Sequence, residues 1–155
     1  MRPSSALRAA ALVALALLPA ACGSKQASPA EQQAQVRTAV AGMLHDLAAA
    51  DGRAVCAGLT EAGQASVIKA VGPELTNFGI DDCDQVVHIT GTQLTPKLRA
   101  ELRHATVGDV SLQGDTATVQ WSEIRSPGGD LGAFFGHPRA LTLVDVNGTW
   151  LVSSL

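Results

Sequence analysis

The sequence has no tyrosine, and its other aromatic residues are two tryptophans and three phenylalanines. So few aromatic rings argue against a stacking platform for nucleic acid bases. Basic residues are also scarce, with 11 lysines and arginines against 14 aspartates and glutamates and a net charge of −3. Phosphate backbones and anionic lipid headgroups repel an acidic chain. We therefore expect no nucleic acid partner and no membrane contact through a basic patch.

A hydrophobic run long enough to cross a bilayer is also missing, because a spanning helix needs about 20 apolar residues. The apolar stretch at residues 9–18 follows Arg8 and is broken by Pro19. A basic start, a short apolar run and small residues before a cleavage point are typical of a secretory signal peptide. We predict a signal peptide at residues 1–21. Its removal leaves 134 residues, in which nine basic and 14 acidic side chains give a net charge of −5.

Cys22 directly follows this leader. The string LLPAAC resembles the lipobox of bacterial lipoproteins, although Pro19 stands where that box usually carries leucine. The resemblance implies that Cys22 is acylated and becomes the first residue of a protein anchored on the extracytoplasmic face of the cell membrane. Two or more acyl chains make such anchoring stable. Residues 22–28 would form a lipidated tether before a domain at residues 29–155. The alternative is ordinary signal-peptidase cleavage, which would secrete the domain without an anchor.

Cysteine is rare as well, and beyond Cys22 only Cys56 and Cys83 remain. In an extracytoplasmic compartment a disulfide between them is the expected use. The alternatives are two buried free thiols or half of a metal site. Neither cysteine belongs to a Cys-x-x-Cys motif, and the four histidines are scattered, so we expect neither a metal nor a cofactor.

Helix signals dominate the first part of the mature chain. Ser28, Pro29 and Glu31 form a capping box with proline at the first helical position. Apolar residues then recur at helical spacing until Asp51 and Gly52, at Val36, Val40, Met43 or Leu44, and Leu47. Shorter helices are predicted at residues 53–59, after Thr60, after Asp82 or Asp84, and after Thr95.

From Thr106 the apolar pattern changes to a period of two, which indicates strands. One predicted strand carries Ala117, Val119 and Trp121, and the SPGGD segment at residues 126–130 is predicted to be a wide loop. Asn147-Gly148 is a strong hairpin signal between residues 140–146 and 149–153. Helices followed by an antiparallel meander predict an α+β fold.

Three segments in this order suggest a family: DGRAVCAGLT, then TPKLRAELRHATVGDVSLQGDTATV, then NGTWLV near the end. Over residues 32–155 the chain resembles the NTF2-like lipoproteins of high-G+C bacteria. The resemblance implies a curved antiparallel sheet wrapped around helices, enclosing a cone-shaped cavity. In some relatives this cavity binds small apolar molecules, and in a minority it is catalytic.

Catalysis in such a cavity needs a base and a hydrogen-bond donor aimed at a developing oxyanion. Tyrosine, the commonest donor, is absent. The candidate acids and bases are Asp46, His88, Asp109, Asp130 and His137. They do not form a recognisable catalytic pair. We expect no catalytic residues and a protein that is not an enzyme. An isomerase or dehydratase of NTF2-like type is the alternative.

Large aromatic residues are the candidates for the wall of the implied cavity. Trp121 and Trp150 lie on predicted strands, where packing in the core is the simpler interpretation. Phe134 and His137 could line the cavity mouth beside them. The sequence thus predicts a lipid-anchored, non-catalytic module of the cell envelope that binds a small apolar ligand or an envelope protein.

Overall fold

The structure is a computed structural model that describes residues 27–71, 75, 77–131 and 140–155. It confirms an α+β fold in which helices precede antiparallel strands. The helices are α1 Pro29–Ala48, α2 Gly52–Ala57, α3 Glu61–Val71, α4 Cys83–Gln93 and α5 Pro96–Arg103. The strands are β1 Thr106–Val107, β2 Ser111–Gln113, β3 Thr116–Gln120, β4 Ile124–Ser126, β5 Gly129–Asp130, β6 Ala140–Val146 and β7 Thr149–Ser154.

The capping box predicted for α1 is formed. The Ser28 backbone N–H donates to Glu31 Oε2 at 2.7 Å, and the Glu31 N–H donates back to the Ser28 hydroxyl at 3.3 Å. The first of these bonds, and then the Ser28 side chain, lower the pKa of Glu31 below its ordinary value. The predicted apolar stripe is buried throughout, at Val36, Val40, Met43, Leu44 and Leu47.

The later helices begin where side-chain caps were predicted. The Thr60 hydroxyl accepts from Gly63 N–H, and Thr95 accepts from Leu98 N–H. Of the two aspartates considered for α4, Asp82 is the cap. The end of α1 was predicted wrongly, because α1 stops at Ala48 and Asp51 instead caps α2.

The larger sheet has the strand order β2-β3-β6-β7, with antiparallel neighbours throughout. Strand β6 covers the predicted residues, and the Asn147-Gly148 turn joins it to β7 as expected. Asn147 has φ 56° and Gly148 has φ 84°, as a type I′ turn requires. The Asp145 carboxylate accepts from Gly148 N–H at 2.7 Å and closes the turn.

A second, smaller sheet with the order β1-β4-β5 was not predicted. The SPGGD segment is a tight hairpin and not a wide loop, because Ser126 pairs with Gly129 and leaves only Pro127 and Gly128 at the turn. Trp121 also falls outside the strand predicted for it. Strand β3 ends at Gln120, and a 3₁₀ turn at Trp121–Glu123 carries the chain from one sheet to the other. The strands therefore do not form one continuous meander.

Helices and sheet share one hydrophobic core that includes the α1 stripe, β3, β6 and β7. The chain between α2 and α3 also joins the outer edge of β7. Val152 N–H donates to Gly58 O, and Thr60 N–H donates to Val152 O, each at 2.9 Å. Leu59 and Val152 thereby form a parallel bridge that covers an otherwise open strand edge.

The Cys56–Cys83 disulfide is present, with a Cα–Cα distance of 6.2 Å. It joins the last turn of α2 to the first residue of α4, and both cysteines are buried. The predicted pairing is thus confirmed. Cys22 and the predicted leader lie outside the described residues. Within the described residues, the helices are too short or too polar to cross a bilayer.

Candidate functional site

An open groove of about 810 Å³ lies where the α1–α2 corner faces α4. We call it the α2–α4 groove. One side is the corner itself, and the other is the first half of α4. It is lined by Ala49, Ala50, Asp51, Gly52, Arg53, Asp84, Gln85, His88 and Ile89.

Close backbone approach shapes the floor of this groove. A Cβ atom added at Gly52 would overlap the carbonyl oxygen of Asp84, so only glycine lets α2 lie this close to α4. Further along α4, a Cβ atom at Gly91 would lie 2.7 Å from Ala50 Cα. Two glycines therefore set the distance between the groove's two sides, and Cys56–Cys83 locks it covalently.

His88 is the residue of the groove with the clearest chemical role. Its Nδ1 lies 2.9 Å from the carbonyl oxygen of Ala50. Since a carbonyl oxygen only accepts, Nδ1 carries the proton of this bond, and Nε2 of the neutral ring is left as an acceptor. The side chain is exposed, so His88 both fastens α4 to the corner and offers one polar atom to a ligand.

The groove combines charged groups with small apolar ones. The Asp51 carboxylate accepts from Ala54 N–H at 3.0 Å as the cap of α2, while Asp84 and Arg53 contribute charges of opposite sign. Ala49, Ala50 and Ile89 add apolar surface. Such a surface suits ion pairing and hydrogen bonding with a polar or mixed partner. Among the described residues, no group of three or more histidine, cysteine, aspartate or glutamate side chains is placed to hold a metal ion.

The tryptophans proposed as cavity lining are both in the core, Trp121 with 5% and Trp150 with 4% of its surface exposed. Neither contributes to the α2–α4 groove. Phe134 and His137, the other two candidates, lie outside the described residues. The cavity-lining role of all four therefore stays a prediction.

Among the candidate acids and bases that the structure describes, His88 alone lines the groove. Asp46 lies on α1, with its carboxylate 3.5 Å from the neighbouring His45 ring. Asp109 is exposed, and its backbone N–H donates to Glu123 Oε2 at 3.1 Å. Asp130 belongs to β5, at the far side of the smaller sheet. Asp46 and Asp109 are not among the residues that line the groove with His88.

Most residues of the groove were missed by sequence reasoning. Asp51 and Gly52 were interpreted only as the end of a helix, and Asp84 only as one of two candidate caps. The predicted disulfide contained the missing signal. Because Cys56 and Cys83 are bonded, the residues just before Cys56 and just after Cys83 must be neighbours.

Comparison with protein-family models, with curated proteins and with solved structures gave no match to this chain. The NTF2-like resemblance thus stays a prediction.

Proposed function

We propose that the protein is a lipoprotein, anchored through acylated Cys22 to the extracytoplasmic face of the cell membrane, and that its NTF2-like domain is a non-catalytic binding module. The α2–α4 groove is its binding surface. One observation carries this proposal, namely that a lipobox-like leader and a buried Cys56–Cys83 disulfide occur in the same chain. Disulfides persist in the compartment to which such a leader directs a protein.

The character of the groove supports a protein or peptide partner over a small apolar ligand. Small-molecule sites are concave, mostly apolar and enclose most of the ligand. This groove is open, and charged residues make up a third of its lining. A surface of that kind contacts one side of a larger partner.

Binding is also better supported than catalysis. General acids and bases are found where burial or a charged neighbour shifts their pKa. The described core is built from hydrophobic side chains, whereas His88 and Asp109 are exposed and Asp46 is partly exposed. No observation on the described residues favours the isomerase or dehydratase alternative.

The anchoring is tested with Cys22→Ala, with Ser24→Ala as the matched control. Cells are grown with an alkyne analogue of palmitate, and labelling and membrane fractionation are measured. The parent chain and Ser24→Ala are expected to be labelled and to sediment with membranes, whereas Cys22→Ala is expected to lose the label. Labelling and membrane retention of Cys22→Ala would contradict the proposal.

Native mass spectrometry of the extracted protein distinguishes the two kinds of partner. We expect the mass of the acylated chain without a retained small molecule. A bound apolar compound of defined mass would instead favour an enclosed cavity behind Trp121 and Trp150.

A further inference from the structure

The turn between β6 and β7 contains the only Asn-Gly pair of the sequence, Asn147-Gly148. Asparagine is a thermolabile residue, and it is most reactive before glycine, which has no side chain to hinder attack by its backbone nitrogen. Both residues of the pair are exposed. The other asparagine, Asn77, is also exposed but precedes the bulky Phe78. Asn147 is therefore the candidate for spontaneous deamidation, and the geometry of its turn determines the rate.

Deamidation of Asn147 consumes water and needs no enzyme. The backbone nitrogen of Gly148 attacks Cγ of the Asn147 side chain and forms a five-membered succinimide ring. The Cγ–Nδ2 bond breaks, and Nδ2 leaves as ammonia with the proton that the Gly148 nitrogen gives up. Water then hydrolyses the ring at one of its two carbonyl carbons, which leaves aspartate or isoaspartate at position 147. Each product is about 1 Da heavier than the parent chain and carries one more negative charge.

The conformation of Asn147 keeps the Gly148 nitrogen away from Asn147 Cγ. With φ 56° at Asn147 and 84° at Gly148, the turn is of type I′, in which ψ of the first central residue is about +30°. At that ψ the Gly148 nitrogen lies nearly anti to Asn147 Cβ across the Cα–C bond. Ring closure needs these two atoms to be nearly eclipsed. The chain must therefore rotate out of the turn conformation before it can react.

The Asp145 carboxylate opposes that rotation. Its Oδ1 accepts from Gly148 N–H at 2.7 Å, as short as a hydrogen bond to a charged acceptor should be. The attacking nitrogen is thus held by this bond. Asp145 is itself fixed, because its backbone N–H donates to Asp115 O at 2.8 Å and the residue pairs with Trp150 of β7. Opening of the turn must break a charge-assisted hydrogen bond to a residue that the sheet holds in place.

The products of the reaction no longer fit the turn. Isoaspartate adds one atom to the main chain between Val146 and Thr149, which are paired across the turn. A carboxylate at position 147 also lies close in sequence to Asp145 and repels it. Both effects favour the open turn. A hairpin that has reacted therefore does not return to its original state.

We propose that Asn147 is a self-modification site, that its deamidation is controlled by opening of the β6–β7 turn, and that Asp145 is the positioning residue that keeps the turn closed. The rate of modification then reports how often the turn opens, because local opening precedes the reaction. The inference depends on neither Cys22 nor the α2–α4 groove. Its success or failure is therefore independent of the proposed function.

The test follows the mass of the peptide that contains residue 147 while the purified full chain is incubated in mildly alkaline buffer. Fragmentation locates the modified residue, and chromatography separates isoaspartate from aspartate. We expect the folded chain to react at least about tenfold more slowly than the chain unfolded in urea. Asn77 is the internal reference and is expected to stay unmodified. Asn147→Gly suits the same turn and is expected to abolish the signal.

Variants of Asp145 separate its hydrogen bond from its charge. Asp145→Ala removes the acceptor and is expected to speed the reaction of the folded chain about tenfold. Asp145→Asn keeps an acceptor oxygen and is expected to stay within about threefold of the parent chain. Asp115→Ala is the matched control, because it removes the same charge from the β2–β3 turn and keeps the carbonyl that Asp145 N–H contacts. Its rate is expected to equal that of the parent chain.

Four outcomes would overturn the proposal. Equal rates in the folded and unfolded chains would show that the turn gives no protection, and an unreactive Asn147 in the unfolded chain would remove the site. An unchanged or slower reaction of Asp145→Ala would show that its carboxylate does not restrain the turn. Equal acceleration by Asp115→Ala would assign the effect to charge alone. The comparison of folded with unfolded chain needs no variant, so it decides the matter even if Asp145→Ala does not fold.

Discussion

The β6–β7 hairpin and the α2–α4 corner are held together by different kinds of interaction. The hairpin is held by residues that are neighbours in the chain. Asn147 and Gly148 adopt the turn conformation, and the Asp145 carboxylate accepts a hydrogen bond that closes it. In the corner, the contacts join residues far apart in the chain, such as Cys56 with Cys83 and His88 with Ala50. The hairpin could be predicted from a few consecutive residues of the sequence, whereas the packing of the corner could not. The candidate binding surface belongs to the region that depends on distant contacts.

Removing the disulfide tests this contrast most strongly. The double variant Cys56→Ser with Cys83→Ser reopens a loop of about 28 residues, which lowers the free energy of unfolding by about 3.6 kcal/mol in the chain-entropy model. Urea unfolding measures the loss. We expect the amides of α4 to exchange faster while those of β6 and β7 stay the most protected. A loss below about 1 kcal/mol, or equal deprotection of the hairpin, would show that the corner does not depend on the bridge.

Gly52→Ala tests the close approach within the corner. The added methyl group meets the backbone carbonyl of Asp84, which cannot move without shifting α4, so the free energy of unfolding should fall by about 2–3 kcal/mol. Gly42→Ala is the matched control, because a Cβ atom at Gly42 on α1 has no neighbour within 4 Å. That change should stabilise the protein by about 0.5–1 kcal/mol through helix propensity. Similar effects of the two changes would refute the close contact.

Gly148→Val tests the local signal of the hairpin. Valine at a positive φ is strained, and the expected cost is about 1–2 kcal/mol in thermal or urea unfolding. Unaltered stability would mean that the turn does not have the type I′ geometry.

Individual residues show which parts of the fold were predictable. Ser28, Thr60 and Thr95 cap the helices that they were expected to start, because a cap acts within three residues of itself. Asp82, one of the two aspartates considered for α4, caps that helix. The fate of Trp121 was not predictable. Its strand pattern continued in sequence, but the chain turns there to reach a second sheet, and the reason is pairing with β1 more than a dozen residues away.

The candidate site divides in the same way. The disulfide partners were predicted by counting cysteines, and His88 was already a candidate. Asp51 and Gly52 were recognised only as the end of a helix, and Asp84 only as a candidate for the start of one. Their meeting depends on a backbone contact between α2 and α4 that no local pattern reports.

Short sequence patterns were sufficient to predict the helix starts, the terminal hairpin and the α+β class, and to expect export. Each of these depends on neighbouring residues or on composition. The second sheet, the cover over the β7 edge and the groove arose only when distant segments packed. These three features depend on the shapes of the packed helices and strands and on the distances between them. Those distances are fixed only once the hydrophobic core has formed around α1.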